Sequence, residues 1–173
     1  MVRIRPETGF ALIDARSYEG IRGAYLKVLR LHKAARRVRV CSGLSLLFES
    51  RQTVQGHIQE VLRAEGGGPE RAQRLVEEYR ALVPESDELC VTAFVDGEDN
   101  ALGRQLAHVL AFEPGCLFLE GPARCSAQPI GKPELGAVHY LRFRPVPPEA
   151  EVVVLELMGE RWRVPLPPAV RKR

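Results

Sequence analysis

Long apolar runs are missing from this chain. The longest candidates, Leu44–Phe48 and Val152–Leu155, are strand-length, far short of the roughly 18–20 apolar residues a membrane helix needs. The chain is therefore expected not to span a bilayer. The first residues, Met1 to Glu7, lack the apolar stretch and small-residue cleavage site of a secretory signal, so a cytoplasmic location is expected. Paired cysteine spacing is also missing: Cys41, Cys90, Cys116 and Cys125 are spread without a C-x-x-C, which excludes zinc-knuckle and thioredoxin-type motifs. In that compartment all four read as reduced thiols, with Cys116 and Cys125 the pair that could meet across a loop. Equally absent are a Walker loop, a G-x-G-x-x-G, a G-x-S-x-G elbow, H-E-x-x-H and the kinase signatures, so common nucleotide and hydrolase chemistries lose their support. The 15 Gly and 13 Pro are scattered, which excludes collagen and a long coiled coil.

What is present is an ordinary globular composition: 173 residues, 45% apolar, 27% charged, formal charge +3. One domain of that length buries enough surface to need no disulfide or metal staple. The whole chain, 1–173, reads as a single domain with a peripheral arm at 1–14 and a peripheral basic tail at 167–173. Charge is uneven, about +6 over residues 1–60, −7 over 61–120 and +4 over 121–173.

Helical periodicity predicts a first helix over 17–35 with Ile21, Tyr25, Val28, Leu29 and His32 facing the core. A second, over 51–64, follows Ser50 as N-cap. A third runs from Pro69 to Val83 and stops at Pro84. A fourth starts after a cap at Asp96, with Asp99 in the capping-box position, and ends before Pro114. Strands are expected at 38–41, 44–49, 89–95, 116–120, 137–143, 151–158 and 161–164. The first two should form a ribbon across Ser42-Gly43. The last two should form a hairpin on a Gly159-Glu160 turn that sets Leu157 opposite Trp162, Glu156 opposite Arg163 and Leu155 opposite Val164. The predicted fold is α+β: a largely antiparallel or mixed sheet of about six strands with about four helices packed on it.

Two clusters could carry chemistry. Arg22, Lys27, Arg30, Lys33, Arg36, Arg37 and Arg39 occur with no acidic residue among them, and Arg22, Arg30, Lys33 and Arg37 project to one side of a continuous helix. Such a face could hold phosphates or pair with the acidic third helix. On the second helix, Thr53, His57 and Glu60 are neighbours on one flank, a minimal metal or general-base arrangement. Glu65 projects near the apolar stripe and should have an Arg partner, whereas His57 should be exposed. His139 alternates with Leu141 and Phe143 on one strand face and reads as a core histidine.

Arg36-Arg37-Val38, the stretch Leu47-Phe48-Glu49-Ser50-Arg51-Gln52-Thr53, and Gln59 to Glu65 lead to one comparison. With Tyr79 to Pro84, Glu88-Leu89 and Ala137 to Phe143, they resemble the bacterial DUF3501 family over nearly the whole chain. Members are often encoded near rubrerythrin-like and iron–sulfur proteins, so the resemblance implies an accessory role in iron or peroxide metabolism and no established activity. It makes Glu49, Gln59, Glu60, Arg63 and Glu65 the better ligand-binding candidates, and Arg36 and Arg37 of the basic cluster complete the set. His57 stands where that pattern has a Gln. The reading preferred is an accessory or binding module for a protein partner or an anionic small ligand, with no cofactor. The alternatives are an iron-linked enzyme or carrier using Glu49, His57 and Glu60, and weak RNA binding through the Arg-rich helix.

Overall fold

The computed structural model describes residues 3–4, 9–97 and 100–171. The chain is α+β, as the periodicities imply, and it divides into two compact units, residues 1–34 with 49–83 and residues 35–48 with 84–173.

The first unit is mostly helical. A two-stranded ribbon, β1 (Arg3–Ile4) and β2 (Leu12–Ile13), precedes α1 (Ala15–Ala34), α2 (Arg51–Glu65) and α3 (Pro69–Tyr79), and α2 packs against both other helices. Helix α1 begins two residues earlier than its apolar period suggests, because Asp14 caps it: the Ser17 amide donates to Asp14 Oδ1 at 2.9 Å. Ser50 caps α2 as expected, and Thr53 completes the box by accepting from the Ser50 amide at 2.8 Å. Pro69 opens α3, which stops at Tyr79 and gives way to a short 3₁₀ turn rather than continuing to Val83. Phe10, Leu12, Tyr18, Leu29, Val54, Ile58, Leu62, Leu75 and Val76 are buried.

The second unit is a sheet of eight strands, all paired antiparallel. In chain order they are β3 (Arg37–Cys41), β4 (Leu44–Phe48), β5 (Leu89–Val95), β6 (Leu117–Glu120), β7 (Cys125–Pro129), β8 (Val138–Phe143), β9 (Val152–Leu157) and β10 (Glu160–Pro165). Their spatial order is β10-β9-β6-β7-β8-β5-β4-β3, and β10 and β3 also touch, so the sheet curls nearly into a barrel. The sheet is larger than the expected six or so: the seven segments with a strand signal all take part in it, and an eighth, β7, Cys-Ser-Ala-Gln-Pro, carries almost no strand signal and is defined by its neighbours β6 and β8. Helix α4 (Ala101–Phe112) contributes Leu106 and Leu110 to this core. Its cap is Asn100, whose Oδ1 accepts from the Gly103 amide at 2.8 Å, and not Asp96; Asp99 lies outside the described residues.

The C-terminal hairpin corrects the expected register. Trp162 faces Leu155, Arg161 faces Glu156 and Val164 faces Val153. The turn residues are Met158 and Gly159, at φ 54° and 78°, the double positive-φ pattern of a type I′ turn. A bulky residue seldom accepts that region, so Met158 gives the sequence no turn signal, and the turn lies one residue earlier than Gly159-Glu160. Each strand keeps its inward face, so Leu155, Leu157 and Trp162 still share a side, but the partners move by two. All four cysteines are free, and Cys41, Cys90 and Cys125 are buried. Near the ends of the described chain, Phe10, Leu12 and Val170 are buried.

Candidate functional site

The polar side of α2 is largely committed to holding the first unit together. Gln55 and Gln59 sit one turn apart and grip the backbone of the ribbon. Gln59 accepts from the Ile13 amide and donates to the Ile13 carbonyl, both at 2.9 Å, and Gln55 does the same with Ala11 at 3.3 and 3.2 Å. Glu60 takes three bonds from α1. The hydroxyl of fully buried Tyr18 donates to Oε1 at 2.8 Å, and the Arg22 guanidinium grips both oxygens at 3.0 and 2.7 Å. The Arg22 bonds hold the Glu60 carboxyl below its ordinary range, while burial and the Glu60 carboxylate push the Tyr18 hydroxyl up. Arg63 reaches Glu19 at 3.1 Å. Glu65 does pair with an arginine, Arg71, but on the surface rather than in the core.

The remaining candidates are dispersed. Glu49 is buried and accepts from the Thr53 hydroxyl, and the Ser50 hydroxyl lies 2.9 Å from His32 Nε2. His57 is half-buried, contrary to expectation; its ring stands edge-on to Tyr79 at 4.6 Å, and its Nε2 is buried without a hydrogen-bond partner. Burial holds its proton affinity below the ordinary histidine value, helped by Lys33 and opposed by Glu49 and Glu78. Arg36 and Arg37 do not lie on the basic helix, which ends at Ala34. Arg36 donates to the Ala169 carbonyl at 2.8 Å and Arg37 stacks 4.5 Å from the Phe94 ring centre. Among the described residues no group of three or more His, Cys, Asp or Glu side chains is placed to hold a metal ion. His139 is the core histidine expected, bonded through Nε2 to the Gly136 carbonyl at 2.8 Å.

The feature that the sequence reading missed is the outer face of α1. Periodicity sent Ile21, Tyr25, Val28, Leu29 and His32 into the core; Leu29 is buried and Tyr25 and His32 half-buried as expected, but the helix is rotated so that Tyr18 and Arg22 pack inward in place of Ile21 and Val28. Two contacts set that rotation. Glu60 draws in Tyr18 and Arg22. Gly56 on α2 lets Leu29 approach so closely that a Cβ there would lie 2.4 Å from Leu29 Cδ2. The stripe left outside is apolar, with Ile21 43%, Val28 68% and Leu31 68% exposed and exposed Ala24 between them. Positions 21, 24, 28 and 31 follow the 3-4-3 spacing of a helix-pairing seam. One edge of the seam opens into a cavity of about 220 Å³ lined by Tyr25, Val28, Leu29, His32, Gln52 and Gln55. The other edge carries exposed Arg16, Lys27 and Arg30. The available signal was that α1 has apolar residues enough for two stripes, only one of which a helix pair can bury.

The family model described as Protein of unknown function (DUF3501) matches residues 8–155. The chain belongs to the DUF3501 family. A solved relative in fold is the crystal structure of a novel protein of unknown function from Burkholderia pseudomallei K96243, 22% identical, with a TM-score of 0.78 and 92% of each chain covered. That likeness is one of fold alone. No curated protein matches the chain.

Proposed function

We propose that this DUF3501 chain is an accessory binding module that docks a protein partner on the outer face of α1. The observation that carries the reading is the exposed seam of Ile21, Ala24, Val28 and Leu31. Single exposed apolar residues are normal, whereas a row at helix-pairing spacing beside a cavity is the usual form of a helix-binding surface. The residues put forward for an iron-linked alternative support that chemistry less well, since both Glu60 oxygens are occupied by Tyr18 and Arg22 and His57 leans on Tyr79.

The test places a photo-crosslinking phenylalanine analogue at Val28 of the full chain in its own cells, with the same analogue at Met158, another exposed apolar position, as control. The expected result is a crosslinked protein adduct from position 28 only, lost when Leu31→Glu is added. Leu31→Glu itself should change stability by no more than about 0.5 kcal/mol, as for a surface site. No adduct at position 28, or an adduct indifferent to Leu31→Glu, overturns the reading.

A further inference from the structure

We infer that the partner presents an amphipathic helix with an acidic row along one flank and a bulky apolar side chain on the other. The inference rests on the docking reading above and specifies the partner's chemistry. Its grounds are the two unlike borders of the seam. Arg16, Lys27 and Arg30 line one border, and none of them makes an ion pair or hydrogen bond within the described residues. Cations left unmatched beside an apolar seam are complemented by carboxylates on the incoming surface, which steer association and set orientation. The opposite border is the cavity of about 220 Å³, with volume enough for one aromatic or branched side chain; its lining combines apolar Val28 and Leu29 and the Tyr25 ring with polar His32, Gln52 and Gln55. A side chain entering there serves as the anchor that helix-in-groove recognition uses.

A second copy of this chain fits poorly as the occupant. A two-fold pairing through this face brings another Arg16, Lys27 and Arg30 to the interface. The one acid on the same helix, Glu19, is already paired with Arg63. Single-stranded nucleic acid fits poorly too, because the seam presents aliphatic side chains where base stacking requires exposed aromatic faces.

The experiment uses the full chain and two synthetic helical peptides of about three heptads. They share a leucine seam and one phenylalanine at the flank and differ only in whether the other flank carries Glu or Lys. Fluorescence anisotropy is expected to show the Glu peptide binding roughly tenfold or more tightly than the Lys peptide. The Lys27→Glu, Arg30→Glu double variant should reverse that order, and Leu31→Glu should abolish both. Equal binding of the two peptides, or binding of neither, overturns the inference. Equal binding that Leu31→Glu abolishes leaves the docking face standing, so the two failures are separable. A dimer of the chain alone in sedimentation velocity, dissociated by Leu31→Glu, assigns the face to a second copy and also overturns it. So does tighter binding of an oligouridine than of the Glu peptide.

Discussion

Replacing Glu60 by Ala tests whether α2 is a structural hub or a ligand surface. The Tyr18 hydroxyl is fully buried and donates to Glu60 Oε1, so removing the carboxylate strands it without an acceptor, a loss of about 1–3 kcal/mol. Arg22, about a third exposed, can turn to water and adds little. The expected cost is therefore about 2 kcal/mol, or roughly 4–8 °C in melting temperature for a chain of this size, read from urea unfolding followed by circular dichroism. In a Tyr18→Phe background no hydroxyl is left to strand, and Glu60→Ala should cost about 1 kcal/mol less. The pH dependence has a definite sign. The folded state holds the Glu60 carboxyl below its unfolded value, so its contribution is complete above the unfolded value and is lost as pH falls through the folded one. Glu60→Gln should remove that share of acid sensitivity. A Glu60→Ala variant within about 0.5 kcal/mol of the parent, or one equally costly in both backgrounds, refutes the hub.

Gln59→Leu should cost about 2 kcal/mol, because it leaves both backbone groups of Ile13 without their partner; urea midpoints measure it. His57 is held neutral by burial, so the parent should lose stability as pH falls from about 6.5 towards the lower folded value, and His57→Phe should flatten that slope while keeping the Tyr79 contact. At the β9–β10 turn Met158 occupies φ 54°, and Met158→Asn should raise stability by about 0.5–1 kcal/mol, visible as a higher melting temperature.

The starts of α2 and α3, most strand positions and the α+β class were legible because they depend on local signals: Ser50 before α2, Pro69 at the head of α3, and alternation through His139, Leu141 and Phe143. Strand β7 was not, since Ser126, Gln128 and Pro129 take their conformation from two neighbours rather than from their own propensity. The rotation of α1 was hidden for a related reason. Two apolar stripes compete on one helix, and the choice lies with Gly56 and Glu60, more than twenty residues away in sequence. The hairpin register failed on a single residue, Met158, whose left-handed conformation runs against its preference. Among the site candidates, Glu60 reaches across to Tyr18 and Arg22 and Gln59 to Ile13, and side chains of that kind look the same in sequence whether they hold a ligand or a neighbouring element.

The paired glutamines of α2 make a helix behave as a sheet edge. Carboxamides one turn apart offer the same donor and acceptor couple as a peptide group, at a spacing close to the two-residue repeat of a strand. The stretch at 11–13 thus has a hydrogen-bonding rail on the helix in addition to its partner strand. A rail of this kind counts residues. Sliding the segment by one would present Leu12 to Gln59 and exchange buried Phe10 and Leu12 for Ala11 and Ile13, forfeiting about 1.5–3 kcal/mol for each large side chain expelled. The segment is therefore proofread twice, by its amides and by its side chains, so a one-residue deletion between Phe10 and Asp14 should be far more damaging than a substitution at exposed Ala11.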